Sequence, residues 1–374
     1  MSVKDKSTFL SHVMRGLPDY EEHPWSGVSA PCCGRRILWI DRLDDQALSI
    51  EFIERFHALG YNRLALGPVA NLDESLLSKL ELLKSKEMEP LLFLQAPAFD
   101  SSPADPSVKG KIREFLEPFQ GLGVELVYFS QLESPGYRAG PHAEPLSLFE
   151  LALEEIDSIG PVSLGLTQSV SPVVVEQLCL RAETREPLFF YGSSPLVKEL
   201  GRKMVPEAWD SLMPAFETLS LLDLEVWSEA FFQRAKKVGG VVVSVEELPD
   251  EGSLAHLFHF LLSALCWKPA PLSSHYELWC SLYQPTWGEK EWKLLKRGAQ
   301  LREQVEVLKK RSGQVYSAHS EQLNRVFTGM EELLDQGRET SLEKDLIELK
   351  KKLSEELKRQ GYSLNPSARV SFKP

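Results

Sequence analysis

The chain has 374 residues, 43% of them hydrophobic and 26% charged, with a formal net charge of −12. That suffices for one large domain with an appendage, and the composition is that of an ordinary globular protein. The acidic balance argues against nucleic acid as a partner, which needs a basic patch, and without an apolar run of about 18 residues no membrane span is expected.

The opening MSVKDKSTFLSHVMRGL lacks the continuous apolar stretch of a signal peptide, so the expected location is cytoplasmic. Five cysteines, an odd number, do not suggest a disulfide framework, and the adjacent Cys32-Cys33 pair has no zinc-site spacing. Cys179, Cys266 and Cys280 stand in apolar helical contexts and read as small core residues.

Residues 1–35 read as an N-terminal segment. Ile37-Leu38-Trp39-Ile40 predicts a first strand, followed by a helix over 46–59 that Gly60 closes. Residues 63–66 predict the second strand, leading through Gly67-Pro68 into a helix that Asp73 caps. A third strand at 90–94, a helix at 108–121 and a fourth strand at 124–129 come next. A Pro- and Gly-rich loop over 134–145 precedes a helix at 146–159 and a fifth strand at 162–166. Ser171-Pro172 opens the following helix, and 188–191 is the sixth strand, with Pro195 opening its helix. A seventh strand is placed at 219–224, an eighth at 241–245, and a last helix at 253–267.

Eight apolar runs, each followed by a helix, suit a parallel sheet buried on both faces. The first strand–helix loop contains no glycine, which disfavours a doubly wound dinucleotide fold. The expected fold is therefore α/β, a (β/α)8 TIM barrel over 36–269 with a C-terminal helical extension. Within the extension, 270–287 reads as an aromatic linker, followed by charged helices. Leu294, Leu301, Val305 and Leu308, then Leu346, Leu349 and Leu353, form short apolar seams. Pairing of these helices within the chain explains the seams, and self-association through them is the other use they could serve.

In such a barrel, chemistry sits at the carboxyl ends of the strands. That rule nominates Asp41, Arg42 and Asp44 after the first strand, Asn71 after the second and Gln95 after the third. It adds Gln131, Glu133 and Tyr137 after the fourth, Tyr191 after the sixth, Asp223, Glu225 and Trp227 after the seventh, and Glu246 after the eighth. Histidines are nearly absent from these positions, and neither a phosphate loop nor a serine elbow occurs, so no metal or cofactor is expected. Carboxylates, aromatics and amides remain, the groups of a sugar site.

Arg36-Ile37-Leu38-Trp39-Ile40-Asp41, then Gly60-Tyr61-Asn62-Arg63-Leu64, resembles the opening of the family-20-type β-N-acetylhexosaminidase barrels. Val127-Tyr128-Phe129-Ser130-Gln131-Leu132-Glu133 is similar to that family's fourth strand, which ends in an Asp-Glu pair. The resemblance implies a glycoside hydrolase acting on N-acetylhexosamine-containing glycans, with Glu133 as general acid/base. Asp223, Glu225 or Glu246 is the expected partner carboxylate. Asp41, Arg42, Asp44, Gln95, Gln131, Tyr137, Tyr191 and Trp227 are the expected sugar contacts. Leu132 stands where the family has its aspartate. That departure supports an alternative, a catalytically degenerate barrel that binds a glycan or a protein.

Overall fold

The computed structural model describes Phe9, Val13 and residues 31, 34–40, 48–95, 106–129, 162–166, 188–190, 240–244, 249–268, 270–310, 316–338, 340 and 342–359. Its elements fall into two compact units, the first holding all the strands and the second the C-terminal helices.

Among the described residues the apolar runs form seven strands: β1 (Arg35–Ile40), β2 (Arg63–Val69), β3 (Glu89–Gln95), β4 (Glu125–Phe129), β5 (Val162–Leu166), β6 (Leu188–Phe190) and β7 (Gly240–Ser244). All pair in parallel, in the order β6-β5-β4-β3-β2-β1-β7. The sequence expectation of a seventh strand at 219–224 lies outside the described residues; β7 is the run expected as the eighth.

The two faces of the sheet can be told apart by contact. Trp39, Ala65 and Leu91 lie in register across β1, β2 and β3, and the rings of Trp39 and Phe93 are 5.5 Å apart. These residues share one face. Side chains of the other face meet helices. The Arg36 guanidinium lies 5.2 Å from the Trp267 ring, and Tyr128 stands edge-on to Phe115 at 6.3 Å. Both faces are dry: Ile37, Ala65, Leu91, Phe93 and Val127 on one side, and Leu38, Leu64, Leu92 and Leu94 on the other, are all fully buried.

Helix boundaries follow from caps. Helix α1 (Ile50–Ala58) begins four residues later than the sequence suggests, because Ser49 is extended and its side chain accepts from the Phe52 amide at 3.1 Å. It ends in a Schellman turn. Gly60, at φ 92°, donates to the His57 carbonyl, and the Tyr61 amide donates to the Phe56 carbonyl. The Phe56 and Tyr61 rings meet across that turn at 5.7 Å. Asp73 caps α2 (Glu74–Ser85) as expected, accepting from the Leu76 amide at 2.7 Å. Helix α3 (Pro106–Leu116) gives way to a 3₁₀ turn over Glu117–Phe119, since Pro118 has no N–H to continue the ladder.

Helix α4 (Leu254–Trp267), capped by Ser253, is buried on almost every side, including His256 and His259. Phe9 of the N-terminal segment stacks on its Trp267 at 5.9 Å. The Tyr61 hydroxyl and His259 Nδ1 hydrogen-bond at 2.8 Å inside this packing. Burial holds both neutral: it pushes the tyrosine well up and the histidine down to about 3, the latter with help from His256.

In the second unit, α5 (Leu272–Tyr283) folds from the stretch expected as an aromatic linker. Its Tyr276 stacks on Trp292 at 4.6 Å and its Trp279 meets Trp287 at 5.3 Å, so these aromatics build core. Helices α6 (Glu289–Lys310), α7 (Tyr316–Gly337) and α8 (Glu343–Arg359) run antiparallel in succession. Gly329 faces Leu301, Gly337 faces Leu346, and Lys350 pairs with Glu331. The seam residues Leu301, Val305, Leu308, Leu346 and Leu353 are buried.

The neutral His259 makes the first unit acid-sensitive. Its folded pKa lies below the unfolded value, so its contribution is complete above pH 6.5 and is lost as the pH falls toward 3, by up to about 1.4 kcal/mol per unit. His259→Gln, which keeps an acceptor for Tyr61, is expected to remove roughly 2–3 kcal/mol of the stability difference between pH 7.5 and 4.5. Urea unfolding of both proteins at the two pH values checks this; an unaltered difference would refute it.

Candidate functional site

The carboxyl ends of the strands are where a parallel α/β sheet carries its chemistry. Gln95 is the last residue of β3, half-buried, and pairs in register with Phe129 at the end of β4. Neighbouring strands lie about 4.8 Å apart, so Gln95 stands one strand from the chain that continues to Gln131 and Glu133. On the other side of the sheet, Trp39 of β1 pairs with Ser244 of β7, two residues before Glu246 in sequence. Asp41 and Tyr191 directly follow the last residues of β1 and β6 in sequence.

Of the nominated residues, Gln95 and Asn71 are described, the latter exposed just beyond β2. Asp41, Arg42, Asp44, Gln131, Glu133, Tyr137, Tyr191, Asp223, Glu225, Trp227 and Glu246 lie outside the described residues. Among the described residues no three His, Cys, Asp or Glu side chains come together as a metal site would require. No described helix is long and apolar enough to cross a membrane.

The floor beneath the strand ends is aromatic. Trp39 lies against Phe93, and its indole Nε1–H donates to the Gly67 carbonyl at 2.8 Å. There β2 carries a bulge: Leu66 pairs with Leu92 but Val69 pairs with Leu94, so one additional residue is accommodated in β2. Gly67 sits at φ 148°, and a Cβ there would lie 2.4 Å from the Phe93 carbonyl oxygen. Only glycine fits that approach. From sequence alone Gly67-Pro68 is a strand exit and Trp39 is core; the signal that points further is an indole donor near a Gly-Pro break in the next strand.

A second cluster, which sequence reasoning missed, lies at the opposite end. Arg35, Arg63, Glu89 and Glu125 are each the first residue of β1, β2, β3 and β4. Arg35 pairs with Glu125 at 3.0 Å, Arg63 with Glu89 at 2.6 Å, and Arg63 also with Glu125. The alternating charge at successive strand starts was its signal. This network lies far from the carboxyl ends, and its more exposed pair, Arg63 with Glu89, is worth little individually.

No protein-family model matches the sequence, and no curated protein does. Several solved structures to which the chain is similar are glycoside hydrolases. One is a mutant O-GlcNAc hydrolase from Thermobaculum terrenum, 13% identical, covering 88% of this chain and 82% of that one, with a TM-score of 0.44. Another is a family 89 glycoside hydrolase from Clostridium perfringens in complex with PUGNAc, 10% identical, covering 74% of this chain and 41% of that one, at 0.47. A xylanase–α-amylase inhibitor protein is 11% identical over 57% of this chain and 93% of its own, at 0.40. Enzymes and an inhibitor thus stand at one level of likeness, and at these scores the likeness assigns no activity.

The contact at Gly67 is made by backbone, which cannot step aside as a side-chain tip can. Gly67→Ala is expected to destabilise the strand-bearing unit by at least about 2 kcal/mol, lowering its melting temperature by several degrees. A melting curve unchanged from wild type would show that the β2 and β3 ends separate freely.

Proposed function

We propose that the strand-bearing unit is a closed (β/α)8 barrel, and that the chain is a glycoside hydrolase acting on N-acetylhexosamine-containing glycans with Glu133 as its general acid/base. The observation that carries the reading is the strand order. From β1 to β6 the chain advances one place at a time, and β7, the last strand, returns to the free edge of β1. Right-handed crossovers that always advance one way put their helices on a single face. An open sheet wound like this leaves its other face to water, yet Ile37, Ala65, Leu91, Phe93 and Val127 on that face are fully buried. Closure covers the face with the sheet itself. A closed barrel needs one further strand between β6 and β7 to complete eight.

Closure gathers the strand ends into one mouth. Glu133 then follows the fourth strand in sequence, where the resemblance over residues 36–135 sets the general acid. Glu246, two residues after β7 in sequence, supplies the partner carboxylate. Asp41, Arg42, Asp44, Gln131, Tyr137 and Tyr191 complete the sugar contacts. The second reading, a binding barrel without turnover, is favoured by Leu132, which cannot hydrogen-bond an acetamido group.

Two measurements test this. In a closed barrel β6 and β7 have no free edge, so amide exchange over 188–190 and 240–244 is expected to be as slow as in β2 and β3; rapid exchange at both would indicate an open sheet. Glu133→Gln is expected to lower turnover by about 10²–10⁴-fold while preserving sugar binding. The substrates are aryl glycosides of N-acetylglucosamine, N-acetylgalactosamine, glucose and galactose. Wild-type protein that binds these sugars and cleaves none would favour the binding barrel; no binding and no cleavage would remove the hydrolase and the glycan-binding barrel alike.

A further inference from the structure

Among the described residues, the Trp39 side chain supports the bulge in β2. Three residue steps in β2, Leu66 to Val69, span two in β3, Leu92 to Leu94. Pro68 within it has no N–H to give the ladder. The Gly67 carbonyl is met by the Trp39 indole, donated from the strand on the other side at 2.8 Å within the buried interior. The indole reaches across β2 to the Gly67 carbonyl, and its ring lies 5.5 Å from that of Phe93 on β3. An indole placed only to fill space could satisfy its N–H at any carbonyl. This one meets the residue where β2 leaves its regular pairing.

The bulge also redirects the end of β2. Side chains alternate along a strand, so one additional residue reverses the faces of all later ones. Val69 pairs with Leu94 and is buried on the helix-covered side. The next two residues, Ala70 and Asn71, leave the sheet exposed, at the level of Gln95. We propose that Trp39 is a positioning residue of the candidate site: by holding the Gly67 carbonyl it fixes the bulge, and so the direction in which Ala70 and Asn71 emerge beside Gln95. This rests on reading the strand ends as a sugar-binding mouth.

Two substitutions separate the hydrogen bond from the packing. Trp39→Phe keeps a ring against Phe93 and loses the N–H. Trp39→His puts Nε2 where the indole nitrogen stood and loses the second ring. Turnover of 4-methylumbelliferyl N-acetyl-β-glucosaminide, calorimetric binding of N-acetylglucosamine and thermal melting are measured for each. The expected result is a tenfold or greater fall in kcat for Trp39→Phe, with KM within threefold and a small melting shift. Trp39→His recovers most of kcat although it melts lower. If the wild type binds without cleaving, the same pattern is expected in affinity.

Losses that follow the melting temperatures of the two variants would make Trp39 a packing residue and overturn the proposal. So would an active or sugar-binding wild type whose Trp39→Phe variant is unchanged, and in that case the reading of the site stands. A wild type that neither cleaves nor binds the probes removes the reading of the site, and the role of Trp39 with it. Should Trp39→His not fold, amide exchange in Trp39→Phe decides: faster exchange confined to residues 67–71 supports the proposal, and unchanged exchange there overturns it.

Discussion

A parallel sheet wound steadily in one direction has a face that its own crossover helices cannot reach. In this chain that face carries Ile37, Ala65, Leu91, Phe93 and Val127, none with any measurable exposure. The burial of these side chains is worth about 1.5–3 kcal/mol for each large one, so the fold depends on their being covered. The opposite face is covered conventionally, by helices such as α4, whose buried surround leaves His259 neutral and tied to Tyr61. What distinguishes the two faces is topology, and topology is visible only once the strands are paired.

This explains what the sequence did and did not disclose. Strand runs were legible because a strand buried on both faces must be apolar at every position, as in Pro90-Leu91-Leu92-Phe93-Leu94. Caps with a side chain at fixed spacing were legible too: Asp73 and Ser253 each accept from the amide three residues on. Ser49 uses the same chemistry, but the helix formers Gln46, Ala47 and Leu48 ahead of it let the helix seem to begin earlier. The stretch over 272–283 reads as an aromatic linker because prolines flank it and aromatics fill it, yet it folds as a helix. Tertiary packing of Tyr276 and Trp279 outweighs their modest helix propensity.

Position along a strand is a local property, so the strand-end rule placed Gln95 at the end of β3 and Asn71 just beyond β2. It passed over Trp39 because an apolar residue in a strand defaults to core. The residue that gives its indole a purpose, Gly67, is on another strand and 28 positions away in the chain. The strand-start charges hid for the same reason: each is unremarkable alone, and only register places Arg63 beside Glu89 and within reach of Glu125.

Polar groups at the two ends of these strands therefore play opposite parts. At the amino ends, charges of both signs find each other and leave little for a ligand. Toward the carboxyl ends the backbone itself departs from regularity at Gly67, in a dry environment where the Trp39 N–H meets the exposed lone pairs. Such a departure persists only where surrounding structure over-determines it, and here Phe93 below and Trp39 beside it do so. A rigid floor of this kind holds geometry whether or not the groups above it turn over a substrate.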